Sequence, residues 1–349
     1  MPLNEMTKNQ WKEASQSCDK TSIYQDPRWL DLVETVYPGI KIKRLMHKDE
    51  NNDVMWLLPL MEIKPLGKIK PMLISLPFGS YGGFLIPKSK KKEIEDKDLL
   101  PLNQYFENSH SFALEIRELT LPGHNRMIQN TQFQRFEVNF PASIDILWEK
   151  IISGNARTCV RKANKLGIQI IFDHDDALTH FQSLYEINAS YHGTPIHHVK
   201  WYFKLVEFFK DETEIILAKY EGNIIAAILI LHYQGKSILH TAVSNPVFKK
   251  IPATDRLLWA AFERIMDKKT SVCFDFGRTR QDKGKQFFKR KWGAIAYPIY
   301  YSYFIKPGYK IPEILPDNPK FGQAIRIYRR IPMSLKRFIG PFLRIRIPT

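Results

Sequence analysis

The sequence predicts a mixed α/β fold with two units, each holding a mixed and partly antiparallel sheet. Runs of alternating or continuous apolar residues recur along the chain, and the turns at residues 221–223 (EGN) and 234–236 (QGK) are typical of β-hairpins. Amphipathic helical patterns, such as the one over residues 252–269, lie between other runs. With 349 residues and 44% hydrophobic content, the chain can bury more than one core.

The first unit is predicted to span residues 1–140. Its first helix is expected over residues 24–37, because Asp26 and Pro27 are helix start signals that precede an apolar stripe. A second helix is expected to open in the charge run at residues 88–97 and to continue to about residue 106. Strands are expected at residues 40–47, 54–63, 72–76, 113–119 and 132–138. One more strand is expected to follow the loop after residue 76 and to end at residue 86.

A glycine-rich loop at residues 78–83 (FGSYGG) places three glycines around Tyr81. Glycine permits unusual backbone angles and the close approach of a ligand, which makes Tyr81 a candidate substrate-binding residue. The same spacing fits an ordinary hairpin turn, and both interpretations stay open at this point.

The second unit is predicted to span residues 141–306. Helices are expected at residues 144–152, 155–166, 175–191, 198–210, 252–269 and 286–291. Strands are expected at residues 168–172, 214–220, 224–233, 237–244, 272–276 and 296–305. From the first strand onward, this is the element order of the GNAT acyltransferase fold, in which an acyl donor and an amine meet at a splayed sheet. Element order alone does not establish function.

The formal net charge is +16, which predicts an anionic partner such as nucleic acid, an acidic membrane or a phosphate-rich substrate. The alternative is that the charge serves solubility alone. The three cysteines are widely spaced, so neither a disulfide framework nor a zinc site is expected, which fits a reducing cytoplasm. No stretch has the length and apolar character of a signal peptide or a membrane span.

Residues 307–349 are predicted to form a basic amphipathic tail. From residue 321 onward it holds seven arginines and lysines and no acid, interleaved with isoleucine, leucine and phenylalanine. Such a segment is typical of a membrane-surface contact, so an anionic membrane is a predicted partner. A segment packed on the body of the protein is an equally open interpretation.

The stretch at residues 271–292 (SVCFDFGRTRQDKGKQFFKRKW) is where we expect the chemistry. A strand end, a turn at Gly277 and convergent cations are what an anionic ligand needs. Lys289 is suited to stabilising an oxyanion or a donor phosphate, and Phe288 to forming the wall of an acyl pocket. The competing interpretation is a surface lysine beside a core phenylalanine.

Two further residues of this stretch are substrate-binding candidates. Arg278 would hold a substrate phosphate, and Asp275 would accept hydrogen bonds from nearby backbone or from Arg278. Residues 275–277 (DFG) also imitate the metal-binding triplet of protein kinases. The rest of that signature is missing, so the match is interpreted as coincidence.

Other candidate substrate-binding residues lie upstream. Arg157 and Arg161 are four residues apart and so face one side of a predicted helix, as a row for substrate phosphates or as a solvated basic face. His192 lies near two other histidines, but no carboxylate or cysteine completes a metal ligand set at the usual spacing. A substrate contact by His192 is therefore expected, and no metal.

Together these pieces resemble the FemAB-like acyltransferases, the peptidoglycan-bridge aminoacyltransferases, and most closely the branch associated with exopolysaccharide and exosortase gene sets. The resemblance covers most of the chain from about residue 24. It is carried by the segments at residues 77–83, 157–167, 192–195 (HGTP), 274–278 (FDFGR), 288–289 (FK), 292–293 (WG) and 331–341.

The resemblance implies two GNAT-like units in tandem, a degenerate first unit and a catalytic second one. It implies transfer of an aminoacyl group from aminoacyl-tRNA to an amine of an envelope precursor, peptidoglycan or exopolysaccharide, without a metal or a cofactor. Phe288 and Lys289 would lie near the acceptor end of the RNA. His192 stands where bridge-forming members have an arginine that contacts precursor phosphate, which argues against a muropeptide substrate.

Residues 248–254 (FKKIPAT) bear on the identity of the acyl donor, because they contain no glycine. GNAT proteins that use acetyl-CoA carry a glycine-rich pyrophosphate loop at this place, so the sequence favours another donor. Lys249 and Lys250 would instead meet phosphates electrostatically, as on RNA. One alternative function is acyl-CoA-dependent N-acetylation of a sugar or small amine. A second is a non-catalytic protein that binds RNA or membrane. The expected place is the cytoplasm, peripherally at the inner membrane face.

Overall fold

The computed structural model describes residues 3–76, 78–90, 94–119, 125–280, 283–311 and 322–347. The strands are β1 (Asn4–Glu5), β2 (Lys41–Lys48), β3 (Val54–Ile63), β4 (Met72–Ser75), β5 (Ala113–Glu118), β6 (Ile128–Asn139), β7 (Gln169–Ile171), β8 (Thr213–Tyr220), β9 (Asn223–Tyr233), β10 (Lys236–Ser244), β11 (Cys273–Arg280) and β12 (Ile295–Ile305). The helices are α1 (Lys8–Gln16), α2 (Pro27–Val36), α3 (Leu100–Asn108), α4 (Ile144–Ile146), α5 (Gly154–Lys165), α6 (Ala177–His192), α7 (Lys200–Phe208), α8 (Ala253–Lys268), α9 (Lys283–Arg290), α10 (Gly322–Arg330) and α11 (Met333–Arg344). None of the helices in these ranges combines the length and the apolar character that a membrane crossing requires.

The chain divides into two compact units. Unit 1 comprises Met1–Gln132, Pro298–Phe321 and Pro341–Thr349, and unit 2 comprises Phe133–Tyr297 and Gly322–Gly340. This division differs from the expected boundaries at residues 140 and 306. The chain passes from one unit to the other within the long strands β6 and β12, and a break inside a continuous strand leaves no mark on local hydrophobicity.

In unit 1 the strand order is β1-β2-β3-β4-β5-β12. The neighbours pair antiparallel except β4 and β5, which are parallel. The start of α2 is as predicted, because Asp26 caps the helix by accepting from the backbone N–H of Arg28 and Pro27 follows it. Helix α1 was not predicted, although Thr7 and Gln10 form a capping box at its start.

Two expectations for unit 1 are revised. The expected strand up to residue 86 is wrong, because the backbone there makes only isolated bridges, Leu57↔Leu85 and Cys18↔Pro87. The charge run expected to open a helix at residues 88–97 lies partly outside the described residues. Regular helical structure resumes as a 3₁₀ turn at Asp96–Leu99 that leads into α3.

In unit 2 the strand order is β6-β11-β10-β9-β8-β7. Neighbouring strands in this order pair antiparallel, except β10 and β11, which pair parallel. Helices α5 and α8 cover one face of this sheet and enclose the main apolar core, while α6 packs on the other face of β8, β9 and β10. The two hairpins turn at Glu221-Gly222 and Gln234-Gly235, all four with positive φ, as the sequence predicts.

Candidate active site

The sheet of unit 2 opens between its two parallel strands. β10 and β11 pair at three positions, the last being Ile238↔Asp275. Beyond this pair, β10 continues along β9 to Ser244, and β11 continues along β6 to Arg280. We call the opening between residues 239–244 and 276–280 the β10–β11 crevice. Strand edges that diverge in this way offer backbone donors and acceptors to an extended ligand.

Both strands carry a bulge where the crevice begins. The pairing of β10 with β9 shifts between Leu239 and Thr241, which makes His240 the extra residue. The pairing of β11 with β6 shifts between Asp275 and Arg278. The expected turn at Gly277 is therefore wrong, because the strand bulges there and runs on to Arg280. Bulges of this kind re-aim strands and side chains beside functional sites.

Gly277 has the backbone conformation that its bulge requires, with φ at +69°. Its N–H donates to Asp275 Oδ1 over 2.7 Å, and Asp275 is fully buried. A Cβ added to Gly277 would lie 3.8 Å from the Leu239 carbonyl oxygen on the opposite strand. The positive φ therefore favours glycine at this bulge, where a Cβ would only reach ordinary contact with Leu239, and Asp275 accepts from nearby backbone as one of its two predicted roles requires.

Lys289 closes over the bulge from α9. Its Nζ donates to the carbonyl oxygens of Phe276 at 2.7 Å, Gly277 at 2.8 Å and Arg278 at 3.4 Å. The same ammonium group lies 5.3 Å from the centre of the Phe136 ring. The geometry makes Lys289 a positioning residue, because its hydrogen bonds fix the backbone that borders the crevice.

The side chain of Lys289 changes its protonation state near neutral pH. Burial lowers its pKa to about 7, the charge of Asp275 opposes that change, and the nearby Lys285 adds to it. A lysine with this pKa can exchange a proton at physiological pH, whereas an exposed lysine stays charged. An anion bound beside it would raise its pKa again.

Cationic side chains gather around this end of unit 2. Burial lowers the pKa of His192, and the charges of Arg329 and Lys285 lower it further. Arg278 lies 5.3 Å above the Phe133 ring on the neighbouring strand. Since Lys285 acts on both His192 and Lys289, these groups share one positive electrostatic environment that suits a phosphate-bearing ligand.

Three residues beside the crevice were missed in the sequence. His240 is the partly exposed bulge residue of β10, and its ring lies 6.3 Å from that of Tyr202 on α7. The Tyr202 hydroxyl is 3.3 Å from Thr241 Oγ1. A His-Thr pair between the apolar residues 238–239 and 242–243 was the available signal. The bulge that turns both residues toward α7 is a product of strand pairing.

The predicted basic row on α5 lies elsewhere in unit 2 and has a structural role at one position. Arg157 donates to the carbonyl oxygens of Trp148, Glu149 and Ile152, and so caps the π-turn at Leu147–Ile151. Arg161 is exposed, with its guanidinium 5.6 Å above the Trp148 ring. Nη1 of Arg157 is thus used by backbone, and a phosphate contact by the rest of its guanidinium stays a prediction.

The remaining predicted residues are dispersed. Phe288 is half-buried against the core of unit 2, with Lys291 Nζ 4.8 Å above its ring. Lys249 is exposed in the segment before α8. Tyr81 is fully buried in unit 1, where its ring meets Tyr24 edge-on at 5.9 Å. The expectation that Tyr81 meets a substrate is corrected, because the glycines around it allow close packing of the chain on itself.

The start of α8 is occupied by an ion pair. Asp255, in the first turn, lies 2.5 Å from Lys291 Nζ, and both side chains are buried. Burial raises the pKa of Asp255 and Lys291 opposes that change. A carboxylate in the first helical turn competes with an incoming pyrophosphate for the helix N-terminus. Within the described ranges no group of histidine, cysteine and acidic side chains could hold a metal ion.

Comparison with known proteins agrees with this architecture. Residues 141–224 match the FemAB family model. No curated protein matches the chain in sequence. Among solved structures the fold is similar to FemX, with a TM-score of 0.58 at 12% identity over 86% of this chain and 97% of that one.

Two further structures are similar over nearly their full length. L-PGS from Bacillus licheniformis has a TM-score of 0.52 at 11% identity, over 97% of this chain and 98% of that one. A tandem GNAT protein from the clavulanic acid biosynthesis pathway has a TM-score of 0.53 at 8% identity, over 88% of this chain and 99% of that one. At such identities the likeness establishes the fold, and it confirms the predicted tandem GNAT-like architecture. The chain therefore has a tandem GNAT-like fold, and its sequence match to the FemAB family covers residues 141–224.

Proposed function

We propose that the chain is an N-acyltransferase that moves an aminoacyl or acyl group to an amine of a cell-envelope precursor, peptidoglycan or exopolysaccharide. Transfer takes place in the β10–β11 crevice. The observation that carries this proposal is the divergence of the two parallel strands beyond Ile238↔Asp275, in the unit that contains the FemAB match. The expected place of action is the cytoplasmic face of a membrane, where such precursors are built.

The crevice supplies what transfer to an amine requires. The amine nitrogen forms a bond to the acyl carbon, the bond from that carbon to the leaving oxygen breaks, and the proton lost by the nitrogen ends on the leaving oxygen. We assign the proton transfer to His240, the partly exposed titratable side chain at the bulge of β10. Lys289 holds the opposite wall by binding the backbone of residues 276–278.

The donor that fits best is aminoacyl-tRNA. The buried Asp255–Lys291 pair stands in the first turn of α8, where the pyrophosphate of a CoA donor would need free N–H groups. Just before this helix, Lys249 and Lys250 are exposed, and exposed lysines suit the phosphates of an RNA end. Acyl-CoA-dependent transfer to a sugar or small amine is the competing function.

Parallel transfer assays separate these functions. Labelled aminoacyl-tRNA and labelled acetyl-CoA are each offered with a mixture of envelope precursors, and the products are separated by mass. We expect label to reach a precursor amine from aminoacyl-tRNA only. Transfer from acetyl-CoA would replace the proposed donor. Transfer from neither, with salt-sensitive RNA binding retained, would support a non-catalytic binding protein.

A further inference from the structure

The segment Gly322–Gly340 is anchored to unit 2 along one face. Tyr328 is buried, and its hydroxyl accepts from the backbone N–H of Ile196 at 3.3 Å. Gly340 packs so closely that an added Cβ would lie 2.7 Å from the Ile196 side chain and 2.9 Å from the Tyr328 hydroxyl. Of the two interpretations left open for the tail, packing on the body holds for the face of this segment that carries Tyr328 and Gly340.

Charged side chains complete the anchor. Lys336 is 2% exposed and donates to Ser190 Oγ and, over 3.0 Å, to the Arg329 carbonyl oxygen. Arg337 makes a two-pronged ion pair with the buried Glu186 on α6, with contacts of 2.7 to 3.2 Å. These bonds fix the rotation of α10 and of the first part of α11 against α6, and so decide which face points outward.

The outward face combines bulky apolar side chains with arginines. Ile327 is 66% exposed on α10, and Phe338 is 81% exposed on α11, with Leu335 exposed beside it. Arg326 and Arg330, one helical turn apart, line with Ile327 and Gln323 an open depression of about 280 Å³. We call the exposed side chains of Arg326, Ile327, Arg330, Leu335 and Phe338 the tail face.

We propose that the tail face is a docking surface for an anionic phospholipid bilayer, with Arg326 and Arg330 at the headgroup phosphates and Ile327, Leu335 and Phe338 in the interfacial layer. The tail face supplies positive charge only, which complements anionic headgroups, because residues 321–349 contain no aspartate or glutamate. Rigid anchoring by the opposite face keeps the apolar side chains exposed, which costs free energy in water and is recovered in a membrane interface. An RNA surface would use the arginines and leave the three apolar side chains without a partner.

Vesicle co-sedimentation tests the proposal. The full chain is mixed with two kinds of vesicle, one of phosphatidylcholine alone and one that also contains about 30 mol% phosphatidylglycerol. Neither acyl donor nor acceptor is present. We expect binding to the anionic vesicles only. The double variant Ile327→Ser/Phe338→Ser should weaken binding to the anionic vesicles at least about tenfold, because it removes two interfacial side chains. The double variant Arg326→Gln/Arg330→Gln should weaken this binding roughly 30-fold at low salt.

Matched controls remove similar groups elsewhere. Lys200→Gln/Lys210→Gln lowers the net charge by the same amount, and Ile69→Ser/Val272→Ser removes two other exposed apolar side chains. Both controls should bind like the wild type, and all variants should keep the wild-type urea midpoint. Equal loss in the charge control, or full binding by Ile327→Ser/Phe338→Ser, would overturn the proposal and favour a merely electrostatic or RNA surface. The assay contains no acyl donor, so its outcome is independent of the proposed chemistry.

Discussion

Each unit contains one pair of parallel neighbouring strands, β4 with β5 in unit 1 and β10 with β11 in unit 2. The two pairs differ in what lies beyond the last paired residues. In unit 1 the pair is followed by residues 78–83, which bind to the end of β5. In unit 2 the strands separate and their facing edges border an opening. One fold element is therefore present twice, once filled by its own chain and once open.

The filled pair is saturated with internal bonds. Gly82 N–H donates to the Arg117 carbonyl oxygen at 3.0 Å, and the Arg117 guanidinium donates to the Gly79 carbonyl at 2.9 Å and to Glu115 at 2.8 Å. A Cβ on Gly83 would lie 2.9 Å from the Glu118 side chain. Burial raises the pKa of Glu118 to about 8, which keeps its carboxyl protonated at neutral pH.

The open pair has its polar groups arranged around a gap. Lys289 and Asp275 fix the bulge at Gly277, and His240 stands at the matching bulge on the other strand. The two units can therefore share a fold while only unit 2 keeps space for a ligand. This difference predicts that substitutions in unit 2 change transfer, whereas those in unit 1 change stability.

The largest effect on transfer is expected from Gly277→Val. The side chain would enter the crevice toward Leu239, and a non-glycine residue at φ +69° is strained by about 1–3 kcal/mol. We expect at least a hundredfold loss of kcat/KM. Gly235→Val is the control, since it has φ +75° in a hairpin turn with open space around it. It should lose similar stability and keep its transfer rate, and equal loss of activity in both would argue against the crevice.

His240→Ala is expected to lower kcat by roughly 10²-fold, the usual contribution of one general base. The pH profile supplies the specific readout, because the variant should lose the acidic limb that a histidine base is expected to give the wild type. His232→Ala is the control for a histidine of the adjacent strand β9, where it contacts Ser237 and Glu214. An unchanged acidic limb in His240→Ala would contradict the assignment.

Lys289→Met is expected to lower kcat/KM by roughly tenfold to a hundredfold through loss of the bulge geometry. It also tests the pKa of about 7. A folded-state pKa below the unfolded value means that the unfolded chain holds more protons between pH 7 and about 10.5. The unfolding free energy of the wild type should therefore rise with pH over this window, relative to Lys289→Met, by at most about 1.4 kcal/mol per unit. A flat difference across the window would refute the buried environment.

Arg117→Met is expected to leave transfer per folded molecule unchanged. It should lower the unfolding free energy by about 3–5 kcal/mol, because it leaves the buried Glu115 without its ion partner. Urea titration measures the loss, and the double variant Glu115→Gln/Arg117→Met should recover part of it. A specific loss of transfer in the well-folded double variant would assign unit 1 a direct role.

Much of this fold follows from local sequence. The hairpin glycines, the Asp26–Pro27 helix start and the amphipathic pattern of α8 each act within a few residues, so these elements lie close to where they were predicted. Element order then led to the tandem GNAT-like architecture. The passage of β6 and β12 between the units depends on pairing between distant segments, which local patterns do not carry.

The site was predicted in part, for a physical reason. Asp275, Arg278 and Lys289 do come together, since they lie on consecutive elements, β11 and α9. Tyr81 was misjudged because glycine spacing does not tell whether the nearby partner is a ligand or the protein's own chain. The backbone bonds of Arg157 Nη1 were likewise not visible in its charge. His240 was missed because a bulge arises from pairing.

Hydrogen exchange with a bound donor analogue tests the central claim most directly. An amide-linked, non-transferable aminoacyl-RNA acceptor-stem analogue would be added to the full chain, and exchange followed by mass spectrometry. The account predicts new protection in residues 239–244 and 276–280, and none in residues 78–83 or 113–118. Protection confined to unit 1, or bound analogue with no change at 239–244 and 276–280, would contradict it.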